Sequence, residues 1–309
     1  MQKIGDVMIF RLFMLIAMPV FLSGCLATGG GDSPTSPDGL LVTYPYTFSG
    51  QTSLQTDAIY RTPPESGGAD ATGSLPAVVV LHDGGGWSTG RTRQYADLFT
   101  ANGYATLEPR LYPDANIKRT YMKDLASVYG ALDYLSKQQA VDPDRIYVMG
   151  MSAGAMLAIL AKTELAQTSF NNSDTSFKAA ASLYPVCWYF DDTIEGDSPP
   201  LFSDLTASDL KTWQSFPVKL FIPEFDDYDD RDTTVCQKFI AKIPSEADRT
   251  SFSIQMYPGA THGWDHGRTY SFETSGACKG RGCVNTNRSN PEVTRQGYQD
   301  VLNFFDLHR

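Results

Sequence analysis

Apolar residues in this chain gather into short unbroken runs that alternate with stretches of helical spacing. Residues 75 to 82, LPAVVVLH, are apolar up to a glycine cluster, as expected of a strand buried on both faces of a parallel sheet. GGGWSTG then reads as a loop, Gln94 to Ala101 as a helix and YATLEPRL (104–111) as a short strand. Between Tyr121 and Lys137, Met122, Leu125, Val128, Tyr129, Leu132 and Leu135 step by three and one, marking one face of an amphipathic helix. Asp142-Pro143-Asp144 turns the chain into RIYVMG (145–150), another buried strand. The alanine- and leucine-rich AGAMLAILAKTELA (153–166) favours a helix. Strands follow at 178–186, 216–225 and 249–259, and a helix at 292–308 closes the chain. Such alternation predicts parallel βαβ units and a sheet covered on both faces, an α/β class.

The first 26 residues are different. Lys3 and Arg11 precede an uncharged run of 11 residues, Leu12 to Leu22, too short for the ~20 that cross a bilayer. The run ends in Leu22-Ser23-Gly24-Cys25, which resembles the lipobox of bacterial lipoproteins. That resemblance implies a signal peptide at 1–24 and acylation of Cys25, hence export and a lipid anchor on a bacterial membrane. Leu26, in place of a retaining aspartate, points to the outer membrane. Residues 27 to 39, ATGGGDSPTSPDG, read as a flexible spacer, which leaves 40–309 for one domain.

Two matches to GxSxG are present, around Ser88 and around Ser152. A catalytic serine of this type sits on a sharp strand-to-helix turn. Ser152 has the strand before it and the helix after it, whereas Ser88 lies in a glycine-rich loop. Ser152 is therefore the candidate nucleophile. A serine hydroxyl needs a base, and the base needs an orienting acid. With the order serine, acid, histidine, only His262, His266 and His308 lie far enough along. His262 directly follows a strand and is the candidate base, with His266 as fallback. Asp226 is the first aspartate past the strand VKLFIPEF and the candidate acid, with Asp227 and Asp229 as neighbours able to replace it. The oxyanion donors expected are the N–H groups of Ala153 and Gly84, the latter in HDGGGW. His82 precedes the acid in the chain and reads as a residue that orients its loop. This chemistry calls for no metal or cofactor.

These pieces together resemble the dienelactone hydrolase branch of the α/β-hydrolases. The likeness runs from Ala77 to Phe305, through VVVLHDGGGW, GYATLEPRLYPD, DPDRIYVMGMSAGA, YPVCW, PEFDDYDDRDTTVCQKF and YPGATHGWD. It implies an α/β-hydrolase fold, a mostly parallel sheet with helices on both faces, and the triad Ser152, Asp226 and His262. Founding members carry a cysteine nucleophile, so serine favours ordinary carboxylic esters. Pro223 stands where relatives have glycine, and residues 265–290 form an extra loop. Trp87, Trp188 and Trp264 flank the expected catalytic loops, either lining a pocket or packing.

Of the five cysteines, setting Cys25 aside leaves four, enough for two disulfides in an oxidising compartment. Three connectivities are open. Cys278 and Cys283 are close enough to pair across CKGRGC, leaving Cys187 for Cys236, a pairing the family likeness also implies. The net charge of −10, with 25 Lys and Arg against 35 Asp and Glu, argues against nucleic acid as a partner. The expectation is an exported serine hydrolase that cleaves a small or polymeric ester through an acyl-enzyme. Its rivals are a non-catalytic binding lipoprotein with the same fold, and a peptidase or acyltransferase.

Overall fold

The computed structural model describes residues 39–64, 75–111 and 120–309. The expected signal peptide, Cys25 and all of the spacer but residue 39 lie outside the described residues. Eight strands form one sheet: β1 (Leu40–Phe48), β2 (Gln51–Arg61), β3 (Leu75–Leu81), β4 (Ala105–Pro109), β5 (Val141–Met151), β6 (Ala180–Leu183), β7 (Val218–Phe225) and β8 (Phe252–Thr261). Their spatial order is β1-β2-β4-β3-β5-β6-β7-β8. From β4 to β8 every neighbouring pair is parallel, while β1 and β2 join as an antiparallel hairpin at one edge. The sequence pattern predicts no counterpart to that hairpin, although LLVTYPYTF begins directly after the spacer segment 27–39.

The alternating side chains of β3 explain why this strand reads as one apolar block. Ala77, Val79 and Leu81 point into one core, and Val78 and Val80 into the other. The first core packs under α2 (Tyr121–Ser136), α3 (Ala153–Leu160), α5 (Trp188–Glu195) and α6 (Val235–Lys242). The second packs under α1 (Arg91–Ala101) and α8 (Pro291–Asp306). The sheet is thus covered on both faces, as predicted.

Three expectations need correction. The helix read over 153–166 breaks after Leu160, and α4 (Glu164–Phe170) restarts it. The cause is Lys162, which is fully buried and turns its ammonium onto the carbonyls of Gln214 and Phe216. Thr163 then caps the new helix by accepting from the Ala166 N–H at 3.2 Å. Residues 265–290, read as an extra loop, contain an antiparallel hairpin of β9 (Tyr270–Thr274) and β10 (Cys283–Asn287). One disulfide, Cys278–Cys283, closes its tip, and the other, Cys187–Cys236, ties the start of α5 to α6. The strand expected at 249–259 begins at Phe252, because Ser245 caps a short helix, α7 (Glu246–Thr250), ahead of it.

Candidate active site

The C-terminal ends of β5, β7 and β8 all lie at one edge of the sheet, where open α/β sheets bind their ligands. Ser152 stands between β5 and α3 with φ 51° and ψ −111°, a left-handed conformation costly for a residue with a Cβ. Its N–H is held by the Leu183 carbonyl at 2.9 Å. Close packing makes the flanking glycines obligatory. A Cβ on Gly150 would lie 2.1 Å from the Gly154 carbonyl, and one on Gly154 would lie 2.5 Å from the Leu81 carbonyl oxygen. The GxSxG spacing is therefore what lets α3 leave β5 so abruptly and push the hydroxyl outward. Ser88, in contrast, sits exposed in a single 3-10 turn, Trp87–Thr89.

The residues expected to act with Ser152 converge on it. His262 Nε2 is 2.8 Å from Ser152 Oγ, and His262 Nδ1 is 2.9 Å from Asp226 Oδ2. A carboxylate only accepts, so Nδ1 carries the proton and Nε2 is left to accept from the serine. Both Asp226 and the imidazole are buried, which excludes competing water. The spare oxygen of Asp226 accepts from the Tyr228 N–H at 3.0 Å.

The alternatives are occupied elsewhere. Asp227 pairs with Arg231 at 2.8 Å and accepts from the Thr286 N–H. Asp229 accepts from the N–H groups of Cys187 and Trp188. His266 is engaged by other residues, its Nδ1 2.8 Å from the Tyr270 hydroxyl and its Nε2 3.2 Å from Asp83. His308 lies on the far side, its ring against Phe304. His82 is buried, with Nδ1 2.9 Å from the Asp83 carbonyl and Nε2 accepting from the Leu111 N–H, in keeping with a loop-orienting role.

Backbone donors sit opposite. Ala153 is the first residue of α3, so its N–H has no acceptor within the helix. In the glycine loop, the Gly85 N–H is taken by Asp83 Oδ1 at 2.7 Å and the Gly86 N–H by the Asp83 carbonyl at 3.1 Å. Among the described residues, no acceptor is bonded to the Gly84 N–H. Asp83 is itself clamped by Arg91 and His266. Burial alone would raise its pKa, but these partners hold it well below the usual carboxylate range. The loop therefore rests on a permanent anion, a support the sequence reading missed.

A cavity of about 400 Å³ opens beside Ser152, Ala153 and Gly84. Tyr121, Met156, Trp188, Tyr189, Leu201 and Tyr228 line it, together with Thr274 to Gly276 of the hairpin. Of the three tryptophans only Trp188 contributes. Trp264 is fully buried beneath the His262 loop, and Trp87 donates its indole N–H to the Glu108 carbonyl.

Similarity to known proteins follows the same architecture. The BD-FAE family model matches residues 68–187, a segment that holds the Ser152 turn and stops before the acid and the histidine. Esterase 2 of Thermogutta terrifontis phosphoramylated by tabun is 15% identical, with TM-score 0.57 over 89% of this chain and 96% of that one. The fold is that of the α/β-hydrolases. The propionate-bound esterase 2 is 16% identical, with TM-score 0.58 over 87% of this chain and 93% of that one. Est1E from Butyrivibrio proteoclasticus is 16% identical, with TM-score 0.52 over 84% and 98%. No curated protein matches the chain. Within the α/β-hydrolase framework, the elbow, the acid loop and the histidine loop follow three different parallel strands.

Proposed function

We propose that the chain is a serine esterase that cleaves carboxylic esters through an acyl-enzyme on Ser152. The relay from Ser152 through His262 to Asp226, at 2.8 and 2.9 Å beside a cavity, carries this reading. Ser152 Oγ attacks the ester carbonyl while its proton passes to His262 Nε2. The carbonyl oxygen becomes an oxyanion held by the N–H groups of Gly84 and Ala153, each such donor lowering the barrier by ~3 kcal/mol. The intermediate collapses, and His262 returns the proton to the departing alcohol. Water, deprotonated by the same nitrogen, then releases the acid. Asp226 keeps the imidazole in the tautomer that accepts from serine and stabilises its charged form.

Among the described residues that line the cavity none carries a charge, which suits a neutral ester. The kinship with dienelactone hydrolases rests on the sequence motifs, and the serine nucleophile turns that kinship towards ordinary esters. The esterase neighbours, one of them carrying an organophosphate, support the reaction class. We also propose export and acylation at Cys25, supported by the lipobox-like segment and two disulfides.

A fluorophosphonate probe tests the reaction. It should label wild-type protein at Ser152, leave Ser152→Ala unlabelled, and be competed by short nitrophenyl esters. Folded wild-type protein that takes no label would overturn the reading.

A further inference from the structure

The relay accounts for the two ring nitrogens of His262 but not for what lies against the ring itself. Tyr228, two residues past Asp226, places its ring centroid 4.4 Å from the imidazole centroid, with the planes at 47°. Tyr184 stands near-perpendicular to the imidazole at 5.0 Å, its hydroxyl committed to Asp265 at 2.8 Å. Tyr228 is joined to the site in other ways. Its N–H fixes Asp226 Oδ1, its carbonyl accepts from the Lys279 N–H of the hairpin tip at 3.0 Å, and its side chain lines the cavity. Burial and the charge of Asp226 push its phenol pKa up, so the ring stays neutral and electron-rich.

The geometry points to Tyr228 as a positioning residue of the triad, whose ring stabilises the His262 imidazolium through its π face and holds the imidazole between Ser152 and Asp226. A cation within about 6 Å of an aromatic centroid is attracted by the ring quadrupole, more strongly where water is excluded. Imidazole becomes a cation only once serine has given up its proton, so the contact strengthens towards the transition state. This inference rests on the proposed esterase reading for its catalytic half only. The groups that face the imidazole are Asp226 from the end of β7, Ser152 from the start of α3, Tyr184 after β6 and Tyr228 itself. Asp265 stands behind Tyr184, with the Asp83–Arg91 pair beside His266, and Asp229 is a further carboxylate of the acid loop. Substitution at residue 228 removes none of the other groups.

Two measurements test it on full-length protein, namely the His262 pKa by 15N NMR and the pH profile of kcat/KM with a nitrophenyl ester. Tyr228→Leu should lower the His262 pKa by roughly half a unit, move the acid limb of the profile down by the same amount, and lower kcat about ten-fold. Tyr228→Phe, which keeps the π face, should recover kcat to within about three-fold of wild type. Phenylalanines of rising fluorine content at position 228 keep the shape and weaken the π face, so the His262 pKa should fall along the series even if the leucine variant does not fold. An unmoved His262 pKa in Tyr228→Leu or across the fluorinated series would overturn the proposal, as would Tyr228→Phe losing as much activity as Tyr228→Leu. The NMR arm reads the ring contact without turnover, so an inactive wild type would sink the esterase reading and leave this test intact.

Discussion

At the scale of single residues, two glycines hold the nucleophile in place by having nothing to hold. Gly154 lies in α3, where exchange for alanine would ordinarily gain about 1 kcal/mol of helix stability. Here the added Cβ would meet the carbonyl oxygens of Leu81 and His82 at 2.5 and 2.7 Å, atoms fixed in the central strand and its loop. Overpacking of this kind costs about 1–3 kcal/mol, so the clash outweighs the helix gain. Gly154→Ala should therefore be less stable in urea unfolding by up to about 2 kcal/mol, with fluorophosphonate labelling at least ten-fold slower because α3 carries the Ala153 donor. A variant as stable and as reactive as wild type would refute this account of the elbow. Ser152, Asp226 and His262, which meet at 2.8 and 2.9 Å, were legible in the chain because each follows a recognisable strand. Tyr228, Tyr184 and the Asp83–Arg91–His266 cluster were not, since their contacts join residues up to 183 positions apart with no local pattern.

At the scale of elements, the core strands and the long helices could be read because burial on one or both faces imposes a period. What escaped reading were features whose cause is tertiary. The hairpin of β1 and β2 covers a sheet edge with mixed, half-polar side chains, and the β9–β10 hairpin is polar along most of its length. The α3–α4 break is set by Lys162, whose ammonium bonds carbonyls some 50 residues away. Burial lowers the pKa of this lysine from 10.5 to about 8. The unfolded chain therefore keeps its proton between pH 8 and 10.5 while the folded chain gives it up, and stability rises with pH across that window. Below pH 8 the cost of the buried charge is present in full. Relative to Lys162→Met, wild type should gain on the order of 2 kcal/mol between pH 8 and pH 10.5, read from paired urea melts. A difference that stays flat with pH would show that the buried ammonium is not the strained element of this junction.

At the scale of the whole molecule, the lipobox-like segment bears on where the folded domain is held. The whole chain's net charge of −10 works against attraction to an anionic membrane surface, and among the described residues no helix is long and apolar enough to cross a bilayer. The proposed anchor is Cys25, which follows the apolar run 12–22 and lies outside the described residues. Each acyl methylene buried in a membrane contributes about 0.8 kcal/mol, so one chain binds reversibly while two or three hold the protein for good. The segment that follows, 27–39, is rich in glycine, serine and proline, the composition expected of a spacer in this proposal. Cys25→Ser should move the protein from the membrane fraction to the soluble fraction, with labelling of Ser152 unchanged because the substitution lies outside the catalytic domain. Wild-type protein that is already soluble, or a Cys25→Ser variant still in the membrane fraction, would remove the anchor from this account while leaving the triad untouched.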